Sequence, residues 1–177
     1  MRVFFDTEFT GLRKDTTLVS IGMVDMTGRD FYAELTDYNR EMVDTWIQEN
    51  VLTGLIGKPA MQYTMGTLRS SLERWLRLYP QVELWSDCLA YDWVLFCDIF
   101  GGALNLPKNI YYIPFDLCTL MKVNNIDPDT DREKFAGAVK KEGVKGKHNA
   151  LYDAYVIRAC YQAIMDRKGV RHGTPGE

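Results

Sequence analysis

The stretch Val3–Leu12, VFFDTEFTGL, runs three apolar residues directly into two carboxylates placed two residues apart. Side chains at i and i+2 of a strand share a face, so Asp6 and Glu8 point the same way. Val3, Phe4 and Phe5 mark the strand as interior, and Thr10-Gly11 signals a turn just beyond the carboxylates. Like charges side by side at the end of a buried strand each disfavour the other's ionisation, and a divalent cation removes that cost. The segment therefore reads as half of a metal site. A D-x-E pair alone is also common on solvated strand edges, so the remainder of the chain has to decide.

Working outward, Thr17 to Met26 alternates around β-branched residues, Thr27-Gly28 makes a turn and Asp30 to Leu35 returns, which predicts two antiparallel strands after the first. Glu41 to Leu55 carries Val43, Trp46, Ile47, Val51 and Leu52 at helical spacing, and Gly54, Gly57 and Pro59 break it. Thr64 to Tyr79 places Met65, Leu68, Leu72, Trp75, Leu76 and Leu78 in one apolar stripe. A short strand is expected at Val82 to Ser86, a helix at Tyr91 to Phe100 and a strand at Ile110 to Phe115. Asp116 then opens a periodic segment from Leu117 to Val123. A polar loop and a basic helix precede a final helix from Asn149 to about Arg167. This order of elements describes an α/β protein with a mixed central sheet flanked by helices.

Composition narrows the class. The 177 residues are 46% hydrophobic, enough for one sizeable core, so a single domain over 1–168 with a flexible tail at 169–177 is the simplest organisation. No run approaches the roughly 20 apolar residues of a membrane span, and no basic region with an apolar signal core opens the chain, which reads as cytoplasmic. Cys88, Cys97, Cys118 and Cys160 are widely spaced among apolar residues and are expected to be buried, reduced thiols. The net charge of −3 argues against a protein that coats nucleic acid. Its distribution is uneven: Arg132, Lys134, Lys140, Lys141, Lys145 and Lys147 face only Glu133 and Glu142, a local excess of four positive charges leading into His148. Such a run is ordinarily a solvated face, but here it offers a phosphodiester a basic approach to an acidic site.

Three further groups of residues can meet Asp6 and Glu8. Asp92 lies at the start of a helix that follows a strand, the usual place for functional side chains in α/β folds, although helix N-termini also favour carboxylates for their own sake. Asp87, at the preceding strand end, is a rival as cap, supporting group or ligand. In GVKGKHNALYDA, His148 and Asp153 are five apart and cannot share a helix face. His148 is then expected in the loop and Asp153 on the helix, with the imidazole reaching over whatever the carboxylate holds. His172 lies in the tail, which leaves His148 as the general base available near neutral pH.

DTEFTGL, the Tyr91-Asp92 pair and H-x-x-x-x-D resemble, in order and spacing, the three motifs of the DEDDh exonuclease superfamily, and the likeness spans Val3 to about Arg167. WIQENVL before a Gly/Pro break and WSDCLAYDW are similar to the small mycobacterial-type exoribonucleases of bacteria and phages. The resemblance implies an RNase H-like fold and 3′-to-5′ hydrolysis that releases nucleoside 5′-monophosphates from single-stranded or short 3′ ends. Asp6, Glu8, Asp92 and Asp153 then hold two divalent ions, Mg²⁺ or Mn²⁺, and His148 takes the proton of the attacking water. Asp116 is implied as a supporting carboxylate; Asp87 departs from the pattern, standing where many relatives have another residue, and is expected to add negative charge beside the site as a second supporting group. Phe9, Thr10, Leu12, Tyr91, Trp93, Lys145 and Lys147 are the expected substrate contacts. RNA is the expected substrate, with a DNA exonuclease of proofreading type or a silent nucleic-acid-binding module as alternatives. Relatives often pair, so a homodimer is a further expectation.

Overall fold

The computed structural model describes residues 1–137, 139, 142–144 and 146–167. The first strand, β1 (Arg2–Phe9), lies inside a six-stranded sheet completed by β2 (Leu18–Asp25), β3 (Asp30–Leu35), β4 (Gln62–Tyr63), β5 (Glu83–Ser86) and β6 (Phe115–Asp116), in the order β4-β3-β2-β1-β5-β6. β1 pairs antiparallel with β2 and parallel with β5; β2 and β3 are antiparallel, while β3–β4 and β5–β6 are parallel. The mixed sheet expected from the sequence is present. Buried on both sides, β1 reads as a continuous apolar run until the carboxylates begin.

The two faces follow strand parity. Val3 and Phe5 join Leu68, Leu72 and Leu76 of α2 (Met65–Leu76) and Leu95, Phe96 and Ile99 of α3 (Leu89–Ile99) in one cluster. Phe4 packs on the other face with Ala154, Ile157 and Cys160 of α6 (Ala150–Arg167) and with Leu117 and Met121 of α4 (Leu117–Val123). Asp6 and Glu8 share the parity of Phe4 and so belong to the α6 face, whereas Thr7 turns towards α3.

Glycine allows α6 to come close. In the β1–β2 register Gly22 is the partner of Asp6, and a Cβ there would lie 2.2–2.3 Å from the backbone of Ala150 and Leu151. Only hydrogen fits between the strand and the first turn of the helix. Asn149, fully buried, caps that turn by accepting from the N–H of Leu151 and Tyr152.

Several expectations are corrected. Glu41 to Leu55 is broken into α1 (Thr45–Asn50) between 3₁₀ turns at Arg40–Met42 and Leu52–Gly54, because Asp44 takes the N–H of Ile47 and starts a new helix. Ile110 to Phe115 is no strand: Ile110 makes a single bridge to Val82, only Phe115–Asp116 pairs with β5, and Tyr112 and Ile113 are exposed. Apolar content alone did not provide a partner edge over that stretch. Leu78 lies beyond the end of α2 and is 55% exposed. The third helix begins at Leu89, two residues before Tyr91. The basic helix shrinks to α5 (Arg132–Ala136), stopped by Gly137 at φ 79°. All four thiols are free, but Cys88 is exposed and Cys118 half-buried. Lys140, Lys141 and Lys145 lie outside the described residues, as do residues 168–177, which include the expected tail at 169–177 and His172.

Candidate active site

Four elements bring the carboxylates together at the carboxyl end of β1 and β5, where parallel α/β sheets commonly bind ligands. Asp6 and Glu8 come from β1, Asp87 and Asp92 from the β5–α3 junction and Asp153 from the first turn of α6. Oxygens of Asp6, Glu8 and Asp153 all lie within 4.8 Å of one another, and so do those of Asp6, Asp87 and Asp92. Asp6 belongs to both groups, which makes it the hinge of the cluster.

Asp92 is wholly buried. One oxygen accepts from the N–H of Thr7 at 3.2 Å and its hydroxyl at 2.5 Å, and the other accepts from the Ser86 hydroxyl. Thr7, facing α3 because its neighbours face α6, thus ties Asp92 to the strand that carries Asp6 and Glu8. Burial pushes the Asp92 carboxyl up to about 7, against the hydrogen bonds from Ser86 and Thr7. Burial, and then repulsion from Asp153 and Asp92, raises Glu8 to about 8. Burial followed by the charges of Asp92, Asp153, Glu8 and Asp87 lifts Asp6 well above the usual carboxylate range. Burial raises Asp153 to about 7, opposed by the N–H of His148, which donates to its Oδ2 at 2.9 Å. Each group resists ionisation because it is buried beside other carboxylates, a pattern that suits oxygen-loving divalent cations.

His148 stands in the loop before α6 at φ +62°, a left-handed conformation uncommon outside glycine. Its ring packs edge-on against Trp46, centroids 5.2 Å apart. Burial and the charge of Lys147 lower its pKa, which keeps the imidazole neutral and able to accept a proton.

A cavity of about 780 Å³ opens over these groups, lined by Asp6, Glu8, Asp87, Asp153 and His148 and also by Phe9, Leu12, Trp46, Arg132 and Lys147. Not every expected contact faces it. Phe9 lines it and stacks on Tyr91 behind, centroids 5.2 Å apart and rings 15° from parallel. Leu12 projects 71% exposed. Thr10 is buried and organises the turn by accepting from the N–H of Thr17 at 2.9 Å. Trp93 stacks on Phe96 and packs on the core, away from the cavity. Asp116 caps α4, accepting from the N–H of Cys118 and Thr119, and does not line the cavity. Lys145 lies outside the described residues.

The sequence reading does not single out Trp46 or Arg132. Trp46 resembles the apolar residues around it, and only the break at Asp44 turns it outward, to 52% exposure. The Arg132 Nε lies 2.5 Å from Asp87 Oδ2, which answers the charge that Asp87 adds beside the site. Burial still raises the Asp87 carboxyl, with Arg132 opposing. A basic residue inside a longer basic run carried no signal of that pairing.

The mixed sheet flanked by helices, with the acidic cluster at the end of β1, is an RNase H-like architecture similar to that of exonuclease I. A solved structure of exonuclease I superposes with a TM-score of 0.63 over 95% of this chain, at 12% identity; a product-bound structure of exonuclease I gives the same values, and the chain spans only 41% and 44% of the two. Residues 1–165 match the family described as 3′-5′ exoribonuclease Rv2179c-like domain, and the chain belongs to that family. It is 36% identical over 114 residues to the 3′-5′ exoribonuclease Rv2179c of Mycobacterium tuberculosis H37Rv, covering 62% of this chain and 67% of the relative. The protein named 3′-5′ exoribonuclease MT2234.1 in strain CDC 1551 matches to the same extent.

Proposed function

We propose that the protein shortens RNA from single-stranded or short 3′ ends, releasing nucleoside 5′-monophosphates with the help of two divalent cations and His148 as general base. The observation that carries this reading is the double membership of Asp6: one carboxylate shared by two groups of three, with His148 poised on the loop that leads to the third ligand-bearing element. The all-oxygen donor set fits Mg²⁺ or Mn²⁺, with Asp6, Glu8 and Asp153 holding one ion and Asp6 and Asp92 the other. When bound, the ions supply charge stabilisation to the phosphodiester and its entering and leaving oxygens.

The chain's own residues do the rest. His148, whose pKa is lowered by burial and by the charge of Lys147, takes the proton from the attacking water, and its backbone N–H, donating to Asp153 Oδ2 at 2.9 Å, ties the loop to the cluster. Phe9, braced by Tyr91, offers an aromatic surface to the terminal base, and Leu12 and Trp46 line the same cavity. Lys147, at the mouth, provides positive charge for the phosphate backbone.

The test is incubation of 3′-end-matched RNA and DNA with Mg²⁺, Mn²⁺ or EDTA. Stepwise loss of RNA from the 3′ end, stopped by EDTA, is the expected result. Binding without shortening overturns the enzyme reading, and faster shortening of the DNA overturns the substrate. In His148→Ala, turnover should fall by roughly 10² to 10⁴ with Mn²⁺ affinity retained, the range of a general-base contribution. Turnover within tenfold of the parent removes His148 from that role.

A further inference from the structure

We propose that Glu34 and Tyr32, both on β3, are positioning residues that hold His148 over the carboxylates through Asn149. The proposal rests on the reading of His148 as the base. Glu34 is 3% exposed, yet no cation pairs with it among the described residues. Its carboxylate is occupied instead by a turn: Oε1 accepts from the N–H of Ile56 at 2.5 Å and Gly57 at 3.1 Å, and Oε2 from Gly57 at 3.1 Å. Oε1 also accepts from the Tyr32 hydroxyl at 3.0 Å.

The same hydroxyl accepts from Nδ2 of Asn149 at 3.2 Å, and Nδ2 donates a second bond to the carbonyl of Gly54 at 2.9 Å. Glu34 therefore reaches Asn149 by two routes, through Tyr32 and through the turn that follows Gly54. Asn149 is the residue next to His148, and Gly54 presses on it directly: a Cβ at Gly54 would lie 2.6 Å from the His148 carbonyl oxygen. Tyr32 also packs on Ala150 and Leu151, closing the far side.

His148 needs such a clamp. A histidine at φ +62° is not held there by its own preference, and a left-handed non-glycine residue persists only where the surroundings over-determine it. Asn149 uses both ends of its amide, the oxygen on the helix N-terminus and the nitrogen on Tyr32 and Gly54, so the backbone on the helix side of His148 cannot rotate without breaking buried hydrogen bonds. The backbone N–H of His148, donating to Asp153 Oδ2, holds the loop on the other side, and the ring packs against Trp46.

Tyr32→Phe cuts the relay at its centre while leaving the ring in place and leaving Glu34 its two backbone donors. The expected result is a kcat reduced about 10- to 100-fold, the scale of a small misplacement of a reacting group. The KM and the Mn²⁺ affinity should match the parent. With isotope-labelled histidine, the His148 ring signal, identified by its absence in His148→Ala, should broaden or split. Glu34→Gln can keep an oxygen on Ile56 and Tyr32 but sets an amide donor against the N–H of Gly57 in place of Oε2, and should lower kcat in the same direction by a smaller factor. Parental kcat and an unchanged His148 signal in both variants overturn the proposal. So does a joint loss of kcat and Mn²⁺ affinity with a lowered melting temperature, which marks a role in the fold alone. Parental turnover in His148→Ala instead removes the base assignment on which the proposal stands.

Discussion

Residues of one chemical type do different work here according to what surrounds them. Asp25 accepts from the N–H groups of Thr27 and Arg29 and from the hydroxyls of Thr27 and Tyr79; although burial opposes it, those bonds hold its carboxyl below the usual value. Asp153 is buried with one backbone donor and acidic neighbours, and burial first and then their charge raise it to about 7. The first carboxylate supports the fold and the second strains it. Asp153→Asn, whose amide oxygen still accepts from the His148 N–H, should therefore melt higher than the parent in EDTA at about pH 8, by about 2–4 °C for each kcal/mol of repulsion removed. It should also lose nearly all nuclease activity. A lower melting temperature in EDTA would show that Asp153 is a structural carboxylate.

At the scale of elements, the junction of β2 with α6 decides whether the site exists. Asp6 faces Gly22 across the β1–β2 register, and the missing side chain lets α6 bring Asp153 against β1. Gly22→Ala would drive a methyl group into helix backbone that has little room to shift, an overpacking cost of typically 1–3 kcal/mol or more. Urea denaturation should show that loss, and activity should fall with it because Asp153 is displaced. Both carboxylate motifs, and the loop position of the histidine, were legible in the sequence because they sit on local patterns: parity in β1 and a cap-and-helix signal at Asn149. The importance of Gly22 and Gly54 was not, since a glycine in a strand or after a helix looks the same whatever approaches it. The partner of Asp87 was hidden for a similar reason, Arg132 being 45 residues along the chain and set beside Asp87 only by the packing of α5 on α6.

For the molecule as a whole, the cluster sets how stability responds to pH. Glu8 is raised to about 8, Asp92 and Asp153 to about 7, and Asp6 is raised as well. Between the ordinary carboxylate range and those values the folded chain binds more protons than the unfolded chain, so stability falls as pH rises through that window. The metal-free protein should consequently melt at a lower temperature at about pH 8 than at about pH 5.5, and Mn²⁺ should raise the melting point more at the higher pH, where the ligands are ionised without competition from protons. Calorimetric scans with EDTA and with Mn²⁺ at the two pH values check this, and a flat EDTA profile would contradict it. The alternation of strands and helices made the architecture readable, whereas the failed strand at Ile110 to Phe115 shows the limit of that reading: pairing needs a free edge, and hydrophobicity does not supply one.

The left-handed backbone at His148 has a consequence for how this sequence can change. Glycine is the residue that such a conformation favours, and random substitution screened for folding alone would drift towards it. With His148 as the proposed base, selection for turnover is what would keep a histidine there. The position thus separates two pressures that usually act on the same residue, and a library sorted first for stability and then for activity would enrich different amino acids at 148 in the two rounds.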